Sequence, residues 1–270
     1  MHVIPIAGDN AGPMTGRGTN TYLIPGAAPT LVDAAESSEA YVERVAATLE
    51  AVQPGAALAH VLITHGHPDH VGGVEAIARR WPTATFAKIA DPDRDGEHDV
   101  AWQALRDDQM TPAGDGALWV VATPGHAPDH AAFFDVRTSV LFGGDLLVNG
   151  GTVAIPPSRG GHLGQYLGSL RKVMGLQPRR IFPGHGPPID NPGALLRGYI
   201  GHRLGREQQI LDVLAGGAIS ASEIAQRIYP ADLAEALWPA ALENVLAHLI
   251  KLQEEQRVAI DGEQWMVVSA

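Results

Sequence analysis

His65-Gly66-His67-Pro68-Asp69-His70 packs three imidazoles and a carboxylate into six consecutive positions, directly after the apolar run Leu58 to Ile63. Neutral imidazole together with carboxylate suits zinc and its neighbours among the divalent metals. His65 and His67 alternate as side chains do on leaving the end of a strand. Pro68 is expected to break the regular backbone, so that Asp69 and His70 turn toward a second point. A loop built this way can serve two cations at once.

Three later segments repeat one arrangement, an apolar strand-like run ending in glycine next to a ligand type. Thr123-Pro124-Gly125-His126 follows Leu118 to Ala122, Gly143-Gly144-Asp145 follows Val140 to Phe142, and Pro183-Gly184-His185 follows Ile181-Phe182. Glycine lets the backbone turn sharply and approach an ion. One His or Asp at a strand end is ordinarily structural. With the first stretch, however, these segments supply five His and two Asp.

In order and spacing, His65-x-His67-x-Asp69-His70, His126, Asp145 and His185 resemble the metallo-β-lactamase superfamily in its two-metal hydrolase form, over about residues 15 to 190. The resemblance implies that His65, His67 and His126 hold a first metal. It implies that Asp69, His70 and His185 hold a second and that Asp145 bridges the two. Asp69 and Asp145 are the catalytic candidates on this pattern. The family's di-iron oxidases carry Glu where this chain has His67, which argues against redox chemistry. Its β-lactamases usually lack the bridging Asp and often use Cys, of which this chain has none. Gly18-Thr19-Asn20-Thr21-Tyr22-Leu23 is similar to the N-terminal strand of the β-lactamase-like protein 2 branch. So are Gly198-Tyr199-Ile200-Gly201-His202-Arg203 and Arg206 to Leu211 to a later segment of it. That branch includes single-strand endoribonucleases. Asp33 is followed by Ala34-Ala35 where the family often has Thr-Gly or Ser-Gly. It can still accept a hydrogen bond that orients a ligand histidine.

Other residues are weaker candidates. His130 stands four positions after His126 and is expected just behind the ligands. Arg159 and His162, on the loop after Asp145, are expected to line the pocket, where Arg159 can pair with a carboxylate or phosphate. His2, His60, His98, His202 and His248 are expected at the surface or in packing.

The elements that must position these groups alternate between strand and helix as far as about residue 190. The pattern predicts an αββα metallo-β-lactamase sandwich over residues 1–200 and a winged-helix-like helical domain over 201–270. Helices are expected from Glu39 to about Val52 with a Ser37-Ser38 cap, from Gly72 to about Arg80, and from about Leu163 to Met174. Further helices are expected over 194–214, 221–228 and 240–252, ahead of a hairpin around Asp261-Gly262. Asp91 to Glu97 has the start of a calcium loop, but its twelfth position is Trp102 rather than Glu, so it reads as a solvated acidic loop.

The chain has 270 residues, 45% of them hydrophobic, and a net charge of −11. That balance disfavours a broad grip on nucleic acid. Residues 206 to 270 carry four basic side chains against ten acidic ones, so the terminal module is expected to cap the site or mediate dimer contacts. The absence of Cys removes disulfides and thiolate chemistry and suits a cytoplasmic setting. The start of the chain has no signal-peptide pattern and no run is long enough to span a membrane. The expectation is a hydrolase acting through hydroxide held by two divalent ions, zinc foremost, with iron or manganese compatible. The expected partner is a small ester or thioester, as in glyoxalase-II-like hydrolases. Single-stranded RNA is the alternative substrate, and a non-catalytic metal-sensing nucleic-acid-binding protein the third reading.

Overall fold

Successive side chains of a strand leave opposite faces of a sheet. Here Leu31, Val61 and Ile63 enter one core while Val32 and Leu62 enter another. The same alternation sends Val120, Phe133, Phe142 and Phe182 into that second core, and Val121, Phe134, Leu141 and Ile181 into a third. Strands apolar on both faces need cover on both, and two sheets with helices outside provide it. The computed structural model describes residues 1–12 and 15–268.

The first sheet has six strands in the order β1 (Ile4–Ala7), β2 (Asn20–Ile24), β3 (Thr30–Val32), β4 (His60–Leu62), β5 (Thr85–Ile89), β6 (Trp102–Leu105). Pairing is antiparallel up to β3 and parallel from β3 to β6. The second sheet has β7 (Met110–Ala113), β8 (Gly116–Ala122), β9 (Ala131–Asp135), β10 (Val140–Gly144), β11 (Arg180–Pro183) and β12 (Ile189–Asp190) in sequence order. All its pairs are antiparallel except β10 with β11. The strands β8, β10 and β11 therefore end at one edge, each releasing a ligand loop there. The backbone bonds Ala131 N–H to Thr64 O (2.7 Å) and Asn20 N–H to Gly184 O (2.7 Å) join the two sheets at that edge.

Helices α1 (Glu39–Val52), α2 (Pro68–Val71) and α3 (Val74–Arg80) follow strands of the first sheet. The hydroxyl of Ser38 caps α1 by accepting from Tyr41 N–H. Pro68 ends the extended backbone as expected, and does so by opening α2, where a missing N–H costs nothing. Asp69 and His70 thus project from a helical turn, and the next helix starts at Val74 rather than Gly72. Gly72 and Gly73 serve instead as a close contact. A Cβ on Gly73 would fall 2.2 Å from Ala34 O, and Asp33 and Ala35 take positive φ to present that surface. The acidic loop also departs from expectation, because Asp95 is not free in solvent: its carboxylate closes over buried Lys88 at 2.6 Å.

Helix α4 (Leu163–Leu176) covers the second sheet. Helix α5 (Gly193–Leu214) runs unbroken through residue 200. Its Leu196 and Tyr199 pack with the sandwich, and its Ile210 and Leu214 with the terminal core. That core is completed by α6 (Ala221–Ile228), α7 (Trp238–Glu254) and a small sheet of β13 (Ile219–Ser220), β15 (Gln264–Val267) and β14 (Val258–Asp261). The β14–β15 hairpin is the wing. Among the described residues no helix is long and apolar enough to cross a membrane.

Candidate metal centre

Each of the four loops delivers its side chain to the same point at the edge between the sheets. Nε2 of His65 and Nε2 of His126 each lie 3.0 Å from Nδ1 of His67. One ring nitrogen carries at most one proton, so it cannot serve two hydrogen bonds as donor. Donors about 2.0–2.1 Å from a tetrahedral ion stand about 3.3 Å apart, and these three are arranged in that way. Oδ2 of Asp145 lies 3.5 Å from the His126 nitrogen and completes the group. The other oxygen, Oδ1, lies 3.4 Å from Nε2 of His70 and 3.5 Å from Nε2 of His185. Oδ2 of Asp69 is 3.2 Å from that His185 nitrogen and 3.5 Å from that of His70. Asp145 therefore offers one oxygen to each of two adjacent donor groups.

The fit to cations rests on more than spacing. Nε2 of His70 and Oδ1 of Asp145 are buried without a hydrogen-bond partner, a costly state that a cation relieves. A Cβ on Gly184 would stand 2.5 Å from Asp145 Oδ1 and 2.6 Å from His70 Cε1. Only glycine leaves that cradle open.

Residues behind the ligands fix the tautomers. His70 donates from Nδ1 to Asp33 Oδ2 at 2.9 Å, leaving Nε2 for a metal. His65 donates from Nδ1 to Thr64 Oγ1 (3.0 Å), and Thr64 in turn donates to Asp33 (3.0 Å). His126 donates from Nδ1 to Ala154 O at 2.8 Å. Asp33 thus orients two of the candidate ligands at once. His130 is buried, and its Nε2 accepts the Asp145 N–H at 3.0 Å while its other nitrogen meets Thr123 Oγ1 at 2.8 Å. Asp33→Ala is expected to weaken metal binding by about 10- to 100-fold and leave the fold in place. Competition against a chromogenic chelator measures this, and unchanged affinity would remove Asp33 from this role.

Electrostatics prepare the cluster for cations. Burial, then the neighbouring imidazoles, push His65 well below its ordinary pKa. Burial and His126 push His67 down to about 3. His130 falls to about 3, chiefly through burial. Burial opposes ionisation of Asp69, yet its bond to His185 and the charge of His70 outweigh it and bring Asp69 to about 2. For Asp145 too, His70 and His185 overcome burial and hold the pKa far down. Against burial, the carboxylates raise His185 to about 9, and Asp33 and Asp145 raise His70 well above its usual range. Cation binding beside those two imidazoles displaces protons.

A cleft of about 590 Å³ opens over the cluster. Its lining includes His67, Asp69, His126, Asp145 and His185, the segment Val148 to Ala154, and the exposed Arg17 and Arg159. His162 is not there. It caps α4 by accepting from Gln165 N–H, and its Nε2 meets Glu254 Oε1 of the terminal module at 3.0 Å. Those two bonds hold the ring outside the cleft lining. Sequence reasoning does not single out Thr19, whose hydroxyl donates to Asp69 Oδ2 (3.2 Å), nor Thr64, nor Arg17. The first two stand beside recognised motif residues; nothing in the sequence marks Arg17.

Comparison with known proteins identifies the family. The sequence profile of the Metallo-beta-lactamase superfamily matches residues 14–185, and that of the Beta-lactamase associated winged helix domain matches residues 220–265. The Beta-lactamase-like protein 2 homolog of Drosophila melanogaster is 34% identical over 96% of this chain and 90% of its own. The Atrochrysone carboxyl ACP thioesterase of Aspergillus fumigatus is 30% identical over 92% of this chain and 81% of its own. A metallo-beta-lactamase family protein from Thermus thermophilus has the same fold, with a TM-score of 0.79 at 24% identity, covering 98% of both chains. With its converging histidines and aspartates and its terminal wing, the chain belongs to the metallo-beta-lactamase superfamily and is a hydrolase of that superfamily.

Proposed function

We propose that this hydrolase works with two divalent cations and cleaves a small ester or thioester that carries an anionic group. The observation that carries the reading is Asp145, whose two oxygens face separate donor groups. The three imidazoles on one side, and two imidazoles with a carboxylate on the other, suit zinc foremost and accept iron or manganese. When bound, such a pair supplies a water of lowered pKa and a Lewis acid for a carbonyl oxygen. No Ser or Cys nucleophile is then needed.

The chain's own groups do the rest. Asp69 is anchored through Oδ2 to His185 and Thr19, so its Oδ1 is the oxygen that can take a proton from the attacking water and pass it to the leaving group. Asp33 and Thr64 keep His65 and His70 in the ligand tautomer. Arg17 and Arg159, at the rim of an otherwise acidic protein, supply positive charge for a carboxylate or phosphate on the substrate. The similarity to an enzyme named as a thioesterase supports an acyl substrate. The terminal module gives little support to RNA. Of the four cations between residues 206 and 270, Lys251 and Arg257 are bound to Glu207 at 2.6 and 2.5 Å, and phosphate binding needs free ones.

Elemental analysis of purified protein should find close to two divalent ions per chain. Chelation should abolish cleavage of the acetyl thioester of N-acetylcysteamine, and zinc should restore it. A single-stranded RNA oligomer should remain intact. Full activity of metal-free protein would overturn the metal reading; cutting of the RNA with no thioester turnover would overturn the substrate.

A further inference from the structure

The cleft wall Val148 to Val153 contains Asn149-Gly150-Gly151, with Gly150 at a φ of 81°. Such a segment has little rigidity of its own. What holds it comes from α5. Tyr199 Oη accepts the Val148 N–H at 3.1 Å and lies 2.9 Å from Val148 O and 3.0 Å from Gly151 O. One turn on, Arg203 donates from Nη2 to Val153 O and to Thr152 Oγ1, the latter at 3.2 Å. Its Nη1 reaches Asn244 of α7 at 3.3 Å.

Arg203 is an expensive residue to place there. It is 3% exposed, yet its partners are a carbonyl, a hydroxyl and an amide, with the Tyr166 ring 5.6 Å away. Among the described residues no carboxylate lies within ion-pair distance of it. A buried cation without a counter-ion costs stability that an apolar side chain of similar volume would not. What a methionine cannot do is donate to two neighbouring residues of the wall and to α7 at once.

We propose that Tyr199 and Arg203 are positioning residues that hold the wall Val148 to Val153 in the shape that admits substrate. The helix joining the two modules thereby governs substrate binding from behind the cleft. Tyr199 fixes the start of the wall and Arg203 its end. The terminal module steadies the same stretch further on, through Glu243 to Ser158 N–H (3.3 Å) and Glu254 to His162.

Tyr199→Phe in the full chain removes one hydroxyl and keeps the ring. Hydrogen exchange followed by mass spectrometry should show faster exchange in the peptide containing Val148, with peptides of the two sheets unchanged. With the acetyl thioester of N-acetylcysteamine, KM should rise about tenfold, while kcat stays within about twofold and metal content is unaltered. Arg203→Met should loosen the same peptide from its other end, independently of Tyr199→Phe. Unchanged exchange of this peptide in the folded variants, or a fall in kcat with KM unmoved, would overturn the proposal. Only the kinetic half rests on the proposed acyl substrate. If no acyl substrate were turned over, that reading would fail while the exchange result still decided whether α5 holds the wall.

Discussion

Asp145→Ala is expected to empty both metal positions and lower kcat/KM by at least about 10³-fold, with little change in the fold. Asp145 follows Gly144 at the end of β10, where Gly144 takes a φ of 48°. A Cβ there would stand 2.8 Å from Thr64 and from His130 Nε2. That close approach lets His130 grip the Asp145 N–H, so the carboxylate leaves the strand at a fixed angle between the two imidazole groups. Removing it takes one donor from each side. It also takes one of two ligand carboxylates, leaving five imidazoles to hold cation charge against Asp69 alone. The strand and its bonds to β9 and β11 do not depend on the side chain. Elemental analysis, circular dichroism and thioester turnover on one preparation test this together. Two retained ions per chain with activity lost would show that Asp145 acts in the chemistry and not as a bridge.

Much of this candidate centre can be read from the sequence, because its residues lie in contiguous motifs. His65, His67, Asp69 and His70 lie within six positions, and each remaining ligand sits beside a glycine at the end of an apolar run. The sandwich is legible for a similar reason, since strands buried on both faces produce continuous apolar runs. What escapes depends on contacts between distant segments. Only the fold shows Lys88 closed between Asp95 and Asp129. Arg203 falls in a recognisable segment, but its bond to Val153, fifty residues away, leaves no periodic trace. Pro68 reads correctly as a breaker, but a proline in isolation does not reveal that it also begins the next element. Proximity in sequence to Asp145 suggests the pocket for His162, whereas in the fold it caps α4 and meets Glu254 from the distant terminal module.

Lys88→Met should produce the largest loss of stability outside the ligands, about 3–5 kcal/mol, or about 10 °C in Tm. Lys88 and Asp129 are each 2% exposed, and Nζ lies 2.9 Å from Asp129 Oδ2. The pair sits under the metal loops of both sheets. Asp129 lies in the loop between His126 and His130, and its Oδ2 is 3.2 Å from where a Cβ on Gly66 would be. Asp95, at 22% exposure, can turn to water when the lysine is lost; Asp129 cannot. Even with Lys88 present, burial outweighs the lysine and holds Asp129 above its ordinary value of 3.8. Without Lys88 the folded-state pKa rises further. Below the unfolded value both states carry the proton and no charge penalty exists. As pH rises past about 4 the unfolded chain releases its proton first, so stability falls until the folded carboxyl also ionises, and then levels. The Tm gap between wild type and Lys88→Met should therefore be small near pH 4 and widest at neutral pH or above. A gap independent of pH would assign the loss to packing instead. Replacing both partners, Lys88→Met with Asp129→Leu, should recover most of the stability, because the cost lies in stranding one buried charge and not in removing the pair.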